Sequence, residues 1–313
     1  MKQIAVIGSG IIGTSWAVVF ARAGCQVRLY DGEAAQRERA AAGLQEAVQS
    51  SAALLREGDG VADVLARVRQ ETSLEAALAG ADYVQEAISE QLPAKRELFA
   101  AMDAQLPAHV ILASSSSTYG VSRFADDLPG RARCLVVHPM TPPHLMPVVE
   151  IAPAPWTDAE VTRQAFEFMG ELGQVPVRIN KEISGFVLNR LQGALLAEMF
   201  QVIADGVISA RDADLLLSQG LGLRWATVGP LEGVDLNAPG GIADYLGRYG
   251  HIFNGMAAEK GLPAPVDEAL TARLDAEMRA SLALDGLARK RNWRDLAVVQ
   301  VRQAMQPLYG EKP

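Results

Sequence analysis

The feature that most constrains the fold is a glycine-rich segment near the N-terminus, Gly8-Ser9-Gly10-Ile11-Ile12-Gly13. An apolar run at residues 4–7 precedes it and is typical of a buried strand. Residues 14–24 follow with a helical pattern that ends at a glycine, and residues 27–30 form a second strand pattern closed by Asp31. This order of strand, glycine turn, helix and strand predicts a βαβ unit of a parallel sheet.

Each glycine of the segment has a mechanical role in holding a dinucleotide. Gly8 permits the tight turn, Gly10 lets the backbone approach a pyrophosphate, and Gly13 lets the helix pack closely against the strand. The first N–H groups of the helix attract phosphate because they are unpaired and carry a partial positive charge. We therefore predict a bound dinucleotide, contacted by Gly8, Ser9, Gly10, Ile11, Ile12 and Gly13.

Asp31 lies close to the spacing of about 20 residues at which an acidic side chain holds the adenosine ribose. A carboxylate there would repel the 2′-phosphate of NADP, and NADP sites usually place an arginine nearby. The nearest arginine in the strand, Arg28, is predicted to point to the opposite face from Asp31, because side chains alternate along a strand. We therefore predict NAD as the cofactor.

The chain of 313 residues is long enough for two domains, and its 49% hydrophobic content supports a large core. Its net charge of −8 argues against a nucleic-acid partner, which would require a basic surface. No apolar run approaches the length of about 18 residues that a membrane span needs, and no signal peptide is visible. The two cysteines and four histidines are scattered, which predicts no metal site and fits the reducing cytoplasm.

Residues 1–182 alternate strand and helix patterns, whereas residues 183–313 are almost entirely helical in pattern. The alternation predicts an α/β fold with a doubly wound, mostly parallel Rossmann sheet. We expect an NAD-binding domain at residues 1–182 and an all-helical domain for substrate binding and dimerisation at residues 183–313. Within the first domain, we expect residues 33–56 and 61–70 to form a helical hairpin.

The segment 186–204 has apolar side chains on nearly every side of a predicted helix. A helix of that composition must be covered by other protein, because its apolar surface would otherwise face water. It is therefore either the central core helix of the second domain or part of a subunit interface. The sequence pattern leaves both possibilities open.

Four polar residues are candidates for the chemistry, because sheets of this kind bind ligands beyond the carboxyl ends of their strands. Ser117 follows a strand pattern at residues 110–113, and His138 follows another at residues 133–137. Glu150 lies in the next strand pattern, and Asn189 lies about one turn into the apolar helix. Each residue also has a structural interpretation, as a turn serine, a loop histidine, an edge-strand carboxylate or an asparagine bonded to backbone.

Transfer of a hydride from an alcohol requires a base that accepts the hydroxyl proton. Histidine suits this role because it titrates near neutrality, and a neighbouring carboxylate can fix its tautomer and stabilise the imidazolium. Serine and asparagine can hydrogen-bond the substrate oxygen as charge develops on it. These residue types alone leave the catalytic and the structural interpretations evenly balanced.

Two longer segments carry a family resemblance. The segment 137–150, with His138-Pro139 and Val149-Glu150 at its ends, resembles the His-Pro…Pro…Val-Glu segment of the 3-hydroxyacyl-CoA dehydrogenase superfamily. Residues 181–190 resemble its motif Lys-x-x-x-Gly-Phe-x-x-Asn-Arg. The resemblance is closest to the branch of lambda-crystallin and L-gulonate 3-dehydrogenase, which shares the serine run at residues 114–117, and it covers almost the whole chain.

The resemblance implies that His138 is the catalytic base, that Glu150 orients it, and that Ser117 and Asn189 contact the substrate oxygen. It also implies a Rossmann domain followed by a helical domain that forms much of a homodimer interface.

Two further residues enter only through the resemblance. Glu90 and Lys95 match positions that lie near the nicotinamide ribose in related enzymes. Gln91 stands where those enzymes usually have asparagine, so the local pattern departs from the family.

Arg224 is the candidate for recognising the substrate's charge. It lies beside Trp225 in an apolar segment flanked by glycines, where an unpaired guanidinium would be costly to bury. A substrate carboxylate is one possible partner, because arginine can bind it through two hydrogen bonds. An internal salt bridge is the alternative, with its acid among Glu198, Asp214 and Glu232.

We expect an NAD-dependent dehydrogenase of a small 3-hydroxy carboxylic acid, with a sugar acid of the L-gulonate type favoured. A 3-hydroxyacyl-CoA substrate is the first alternative, although residues 31–56 lack a lysine-rich cluster for the CoA phosphates. L-Carnitine is another, because its trimethylammonium group would need an aromatic cage. Residues available for that cage are Trp225, Tyr245, Tyr249 and Phe253. A crystallin-like or NAD-sensing protein without catalysis also stays open.

Overall fold

The computed structural model describes residues 2–310 of the chain, with side chains for residues 2–307. By the contacts between residues, the chain divides into two compact units, Met1–Leu196 and Ala197–Pro313. The helix Phe186–Ala204 begins in the first unit and ends in the second. The domain division expected between residues 182 and 183 is defined by a change of sequence pattern and not by contacts, and it stays a prediction.

The first unit is built on one sheet. Its strands are β1 Gln3–Ile7, β2 Gln26–Tyr30, β3 Val68–Glu71, β4 Tyr83–Glu86, β5 Ile111–Ser114, β6 Cys134–Pro139, β7 Val148–Pro153 and β8 Val175–Arg178. They lie in the order β3-β2-β1-β4-β5-β6-β7-β8. Strands β1 to β6 are parallel, β7 is antiparallel to β6, and β8 is parallel to β7. The predicted doubly wound Rossmann sheet is confirmed, with two reversed strands added at one edge.

Helices cover both faces of this sheet. They are α1 Ile11–Arg22, α2 Ala34–Ser50, α3 Val61–Ala66, α4 Leu74–Leu78, α5 Leu92–Gln105 and α6 Ala159–Glu171. Strand β1 shows why two layers are needed, because its residues alternate between the faces. Ile4 and Val6 belong to one buried apolar cluster with residues of α1 and α2, whereas Ala5 and Ile7 belong to a second cluster with residues of α5.

The prediction that residues 61–70 belong to a helical hairpin is wrong for residues 68–70. Helix α3 ends at Ala66, and residues Val68–Glu71 form the edge strand β3, which pairs in parallel with β2. The strand is four residues long, and the side chains of Arg69 and Gln70 are exposed. No run of apolar residues therefore marks it in the sequence, and its pairing with β2 determines its conformation.

The helix Phe186–Ala204, here α7, forms over the predicted residues but is not buried as a whole. Phe186 is its one buried residue, whereas Leu191 is 67% and Phe200 is 65% exposed. The single chain therefore does not supply the cover that so apolar a helix needs. Of the two possibilities that the sequence leaves open, a fully buried core helix does not occur in the described chain, and the subunit interface stays a prediction.

The second unit is helical in its described part. Its further helices are α8 Ala210–Leu216, α9 Gly222–Trp225, α10 Pro230–Asp235, α11 Gly241–Glu259, α12 Glu268–Ser281 and α13 Leu287–Gly310. Over residues 2–310, none of the helices combines the length and the apolar composition that crossing a membrane requires. Cys25 and Cys134 carry free thiols and are buried in the first unit.

A buried ion pair fixes the start of β6, the strand that carries His138. Arg133 Nη2 lies 2.7 Å from Asp103 Oδ1, and both side chains are buried. Arg133→Met is expected to lower the free energy of unfolding by about 3 kcal/mol, because it leaves the Asp103 carboxylate buried without its counter-charge. Urea denaturation followed by circular dichroism measures this change.

The matched control is Arg163→Met in α6. Arg163 pairs with Glu160 and Glu167 on the surface, where water screens the charges and the same substitution should change stability little. Equal losses in the two variants would contradict the special role of the buried pair.

Candidate active site

The glycine-rich segment forms the turn between β1 and α1. Gly8 has a φ of 106°, and a Cβ on it would lie 2.4 Å from the carbonyl oxygen of Ala87. A Cβ on Gly13 would lie 1.8 Å from the carbonyl oxygen of Gly8, so the helix touches the turn there. A Cβ on Gly10 would meet nothing within 4 Å. The open space above Gly10 at the N-terminus of α1 fits a pyrophosphate, so these residues fit NAD.

The other predicted cofactor residues of this turn differ in exposure. Ser9 is buried, Ile12 is partly buried, and Ile11 is exposed at the first position of α1. An exposed isoleucine beside the open space offers an apolar surface to a ligand. Their contacts with NAD stay predictions.

Asp31 lies directly after β2 and is held against the glycine turn. Its Oδ2 accepts a hydrogen bond from the backbone N–H of Ser9 at 2.7 Å, and its Oδ1 accepts one from the N–H of Glu33 at 2.9 Å. Arg37 in α2 donates from Nη1 to the backbone oxygen of Asp31 at 2.6 Å. Arg28 is the arginine that the strand pattern brings to attention, whereas Arg37 lies beside Asp31 because the start of α2 returns to the end of β2.

His138 and Glu150 are brought together by the sheet. The antiparallel register of β6 and β7 pairs His138 with Glu150, and His138 Nδ1 lies 2.8 Å from Glu150 Oε2. The expectation that His138 follows its strand is wrong, since β6 continues to Pro139 through this pairing. A carboxylate can only accept, so Nδ1 carries the proton of this bond, and Nε2 has its lone pair when the imidazole is neutral.

The second oxygen of Glu150 is bound by the start of α7. The backbone N–H groups of Val187 and Leu188 both donate to Glu150 Oε1, each at 2.9 Å. Burial alone would raise the pKa of Glu150, but the hydrogen bonds from His138 and from these two N–H groups outweigh it and lower the pKa. Glu150 is therefore an ionised carboxylate with all of its bonds directed at His138 and α7.

Ser117 and Asn189 lie close together at the same end of the sheet. Asn189 Nδ2 donates to the backbone oxygen of Ser117 at 3.1 Å, which joins α7 to the loop after β5. Over the described chain, no hydrogen bond within the protein occupies Ser117 Oγ, Asn189 Oδ1 or His138 Nε2. These are the polar atoms that a substrate oxygen could contact.

Glu90 organises the backbone around Ser117. Its Oε1 accepts hydrogen bonds from Ser116 Oγ at 2.5 Å, from the N–H of Ser117 at 3.1 Å and from the N–H of Thr118 at 3.0 Å. Burial alone would raise the pKa of Glu90, but the bond from Ser116 and the charge of Lys95 outweigh it and lower the pKa. The ionised Glu90 therefore holds the loop that presents Ser117.

Lys95 is 1% exposed and lies between two carboxylates. Its Nζ is 2.8 Å from Glu86 Oε1 and 3.2 Å from Glu90 Oε2. Glu86, at the end of β4, is fully buried and also accepts a hydrogen bond from Ser114 Oγ at 2.5 Å. Glu86 is not among the residues predicted from the sequence, although an acid at the carboxyl end of a predicted central strand is a signal for such a role. The contact of Lys95 with the cofactor stays a prediction.

Arg224 lies in the second unit, in α9. It lines a cavity of about 320 Å³ with Asn237 and Arg294 among its other residues. Over the described chain, the guanidinium makes no ion pair. Of the three acids considered as its partner, Glu198 contacts Lys260 and Glu232 contacts Lys290. In residues 2–310 there is also no cluster of three or more potential metal ligands.

Comparison with known proteins shows the family of this chain. The model of the 3-hydroxyacyl-CoA dehydrogenase NAD binding domain matches residues 3–183, and the model of the C-terminal domain of the same family matches residues 185–271. Together these models cover well over half of the chain. The resemblance, the fold class and NAD as the cofactor are thereby confirmed.

Individual relatives agree with the family models. A lambda-crystallin homolog of Bos taurus is 39% identical over 305 residues, covering 96% of this chain and 94% of that protein. An L-carnitine dehydrogenase of Streptomyces coelicolor is 34% identical, covering 80% of this chain and 78% of that protein. A solved 3-hydroxyacyl-CoA dehydrogenase of Archaeoglobus fulgidus aligns with a TM-score of 0.71 at 25% identity, covering 98% of this chain and 99% of that chain. This chain belongs to the 3-hydroxyacyl-CoA dehydrogenase family and is an NAD-dependent oxidoreductase.

Proposed function

We propose that the protein oxidises the 3-hydroxyl group of a small hydroxy carboxylic acid, favouring a sugar acid of the L-gulonate type, to the 3-keto acid. The observation that carries this proposal is the His138–Glu150 pair, whose Nδ1–Oε2 distance of 2.8 Å leaves Nε2 free to act as a base. In the reverse reaction, bound NADH would supply the hydride that reduces the keto acid, and His138 would return the proton.

His138 is the general base in this proposal. Bound NAD⁺ would supply the acceptor for the hydride, which is chemistry that the side chains lack. Nε2 of His138 takes the proton of the substrate hydroxyl, and the imidazolium that forms is stabilised by the carboxylate of Glu150 through Nδ1. Glu150 stays ionised because the N–H groups of Val187 and Leu188 bind its other oxygen.

Ser117 and Asn189 hold the reacting oxygen. The hydroxyl of Ser117 can donate to the substrate oxygen as negative charge develops on it, while Asn189 keeps the Ser117 loop in place through its bond to the Ser117 carbonyl. Glu90 supports the same loop through its three hydrogen bonds to residues 116–118. The group orients one oxygen between the base and two polar side chains.

Arg224 supports a free acid as the substrate. Its guanidinium lacks an internal ion pair in the described chain and lines a cavity, so a carboxylate ligand would supply its missing partner. An acyl-CoA ester carries no free carboxylate at the corresponding end. L-Carnitine is a second candidate, favoured by its dehydrogenases among the relatives.

The active form in this proposal is a cytoplasmic homodimer. The exposed apolar side chains of α7 are those of Val187, Leu191, Leu196 and Phe200, which lie on two sides of the helix, and a second copy of the chain would cover one of these sides. The implied arrangement of the family, in which the helical domain forms much of the dimer interface, agrees with that position.

The substrate class is tested by NAD⁺ reduction with L-gulonate, L-3-hydroxybutyrate, L-carnitine and L-3-hydroxybutyryl-CoA. We expect turnover of a free acid, and Arg224→Ala should raise the KM for that acid about tenfold or more with a smaller effect on kcat, because a bidentate charged contact is lost. Arg294→Ala is the matched control in the same cavity, since Arg294 already pairs with Asp295. An unchanged KM in Arg224→Ala, or turnover of the CoA ester alone, would contradict the proposal.

The role of His138 is tested by His138→Gln. Turnover should fall by about a hundredfold or more, because glutamine cannot take the hydroxyl proton. NADH affinity, measured by fluorescence titration, should stay nearly unchanged, because His138 lies on β6 and the glycine turn follows β1. His144→Gln removes another buried histidine and serves as the control. Loss of NADH binding in His138→Gln would contradict this arrangement of the site.

The role of Asp31 is tested by Asp31→Ala. The variant should bind NAD more weakly, while NADP should lose less affinity or gain some, since the repulsion of a 2′-phosphate is removed and Arg37 remains beside it. Dissociation constants for NADH and NADPH measure the difference. Equal losses for both cofactors would show that Asp31 only supports the glycine turn through Ser9.

A further inference from the structure

Phe186, the first residue of α7, has an unusual backbone. Its φ is 48°, and among the described residues it is the one non-glycine residue with a positive φ. The left-handed conformation is unfavourable for a bulky side chain and persists only where the surrounding structure imposes it. The residue before it, Gly185, also has a positive φ, of 74°, where glycine adopts that conformation readily.

The surroundings of Phe186 explain how this conformation is held. Its side chain is fully buried, and its ring centroid lies 5.4 Å from that of His138. Its own N–H donates to the carbonyl of Ile183 at 3.0 Å, and the N–H of Gly185 donates to the carbonyl of Thr118 at 3.3 Å. The ring is thus anchored in the core of the first unit, and the backbone turns sharply on either side of it.

The two N–H groups that follow this turn are those that bind Glu150. Val187 and Leu188 present them to Oε1 at 2.9 Å, while Oε2 faces His138. In an ordinary right-handed start to the helix, the peptide after Phe186 would have a different orientation, because φ and ψ of a residue aim the N–H that follows it. The left-handed backbone is therefore coupled to the bonds of the carboxylate.

We propose that Phe186 is a positioning residue: its buried ring holds a left-handed backbone that aims the first N–H groups of α7 at Glu150, and so fixes His138. The inference rests on the proposed role of His138 as the base.

The surroundings of Glu150 contain few charges. Glu150 contacts His138 of β6 and the two N–H groups of α7, and the residue paired with Glu150 on β8 is the uncharged Val177. No other titratable group is bonded to it in the described chain.

The test separates the ring from the backbone with three variants. Phe186→Ala loses the ring and disfavours the left-handed backbone, whereas Phe186→Gly loses the ring but tolerates that backbone. Phe168→Ala is the matched control, because Phe168 is a buried phenylalanine of α6 in the other apolar cluster of the sheet. Thermal unfolding shows whether each variant folds.

Compared with the parent protein, Phe186→Ala should have a kcat/KM about tenfold to a hundredfold lower, because the two hydrogen bonds from α7 to the Glu150 carboxylate are weakened. The acid limb of its pH profile should move to higher pH, because the hydrogen-bonded pair of His138 and Glu150 takes up a proton more readily once Glu150 has lost donors that lower its pKa. Phe186→Gly should keep an acid limb near that of the parent protein and a several-fold higher kcat/KM than Phe186→Ala. Phe168→Ala should lower stability without moving the limb.

A readout without turnover keeps this inference separate from the proposed function. Proton NMR should show a downfield imidazole N–H signal that is absent from His138→Gln and Glu150→Gln. The signal should persist in Phe186→Gly and weaken in Phe186→Ala. An unchanged signal and pH profile in Phe186→Ala would overturn the proposal, as would equal losses in the alanine and glycine variants. If the parent protein turns over none of the test acids but shows this pattern, the positioning role stands and the proposed substrate fails.

Discussion

The arrangement of the candidate site depends on one carboxylate that is shared between a strand and a helix. Glu150 gives Oε2 to His138 and Oε1 to the N–H groups of Val187 and Leu188. The helix N-terminus supplies both hydrogen bonds and a partial positive charge, so the carboxylate stays ionised in a buried position. An ionised Glu150 in turn fixes the tautomer of His138. Without the helix, the same pair would be a buried acid beside a histidine with no defined orientation.

A second group of charges supports the loop that carries Ser117. The ammonium of Lys95 lies between the buried Glu86 and the partly exposed Glu90, and its positive charge allows the two acids to approach each other. Glu90 then uses its remaining oxygen to hold the loop of Ser117. The hydrogen bond from Asn189 of α7 to the carbonyl of Ser117 joins this loop to the helix that binds Glu150. Strand ends, one loop and the start of α7 therefore form a single hydrogen-bonded structure.

Helix α7 connects this chemistry with the rest of the chain. Its first turn binds Glu150 and carries Asn189, whereas Leu191 and Phe200 farther along are exposed. The start of α7 therefore binds polar groups of the candidate site, whereas its later turns expose apolar side chains. The family models also meet at its start, with one ending at residue 183 and the next beginning at residue 185. In the proposed dimer, a second copy would therefore cover the same helix that completes the catalytic pair.

The βαβ start and NAD as the cofactor follow from the local spacing of Gly8, Gly13 and Asp31, and the family follows from the motifs at residues 137–150 and 181–190. The sequence by itself also identified His138 and Glu150, but not their contact, which depends on the antiparallel register of β6 and β7. The edge strand β3, the burial of Glu86 with Lys95 and the left-handed Phe186 were decided only by the tertiary structure. All three features depend on contacts with residues that are distant in sequence, and a local residue pattern does not predict such contacts.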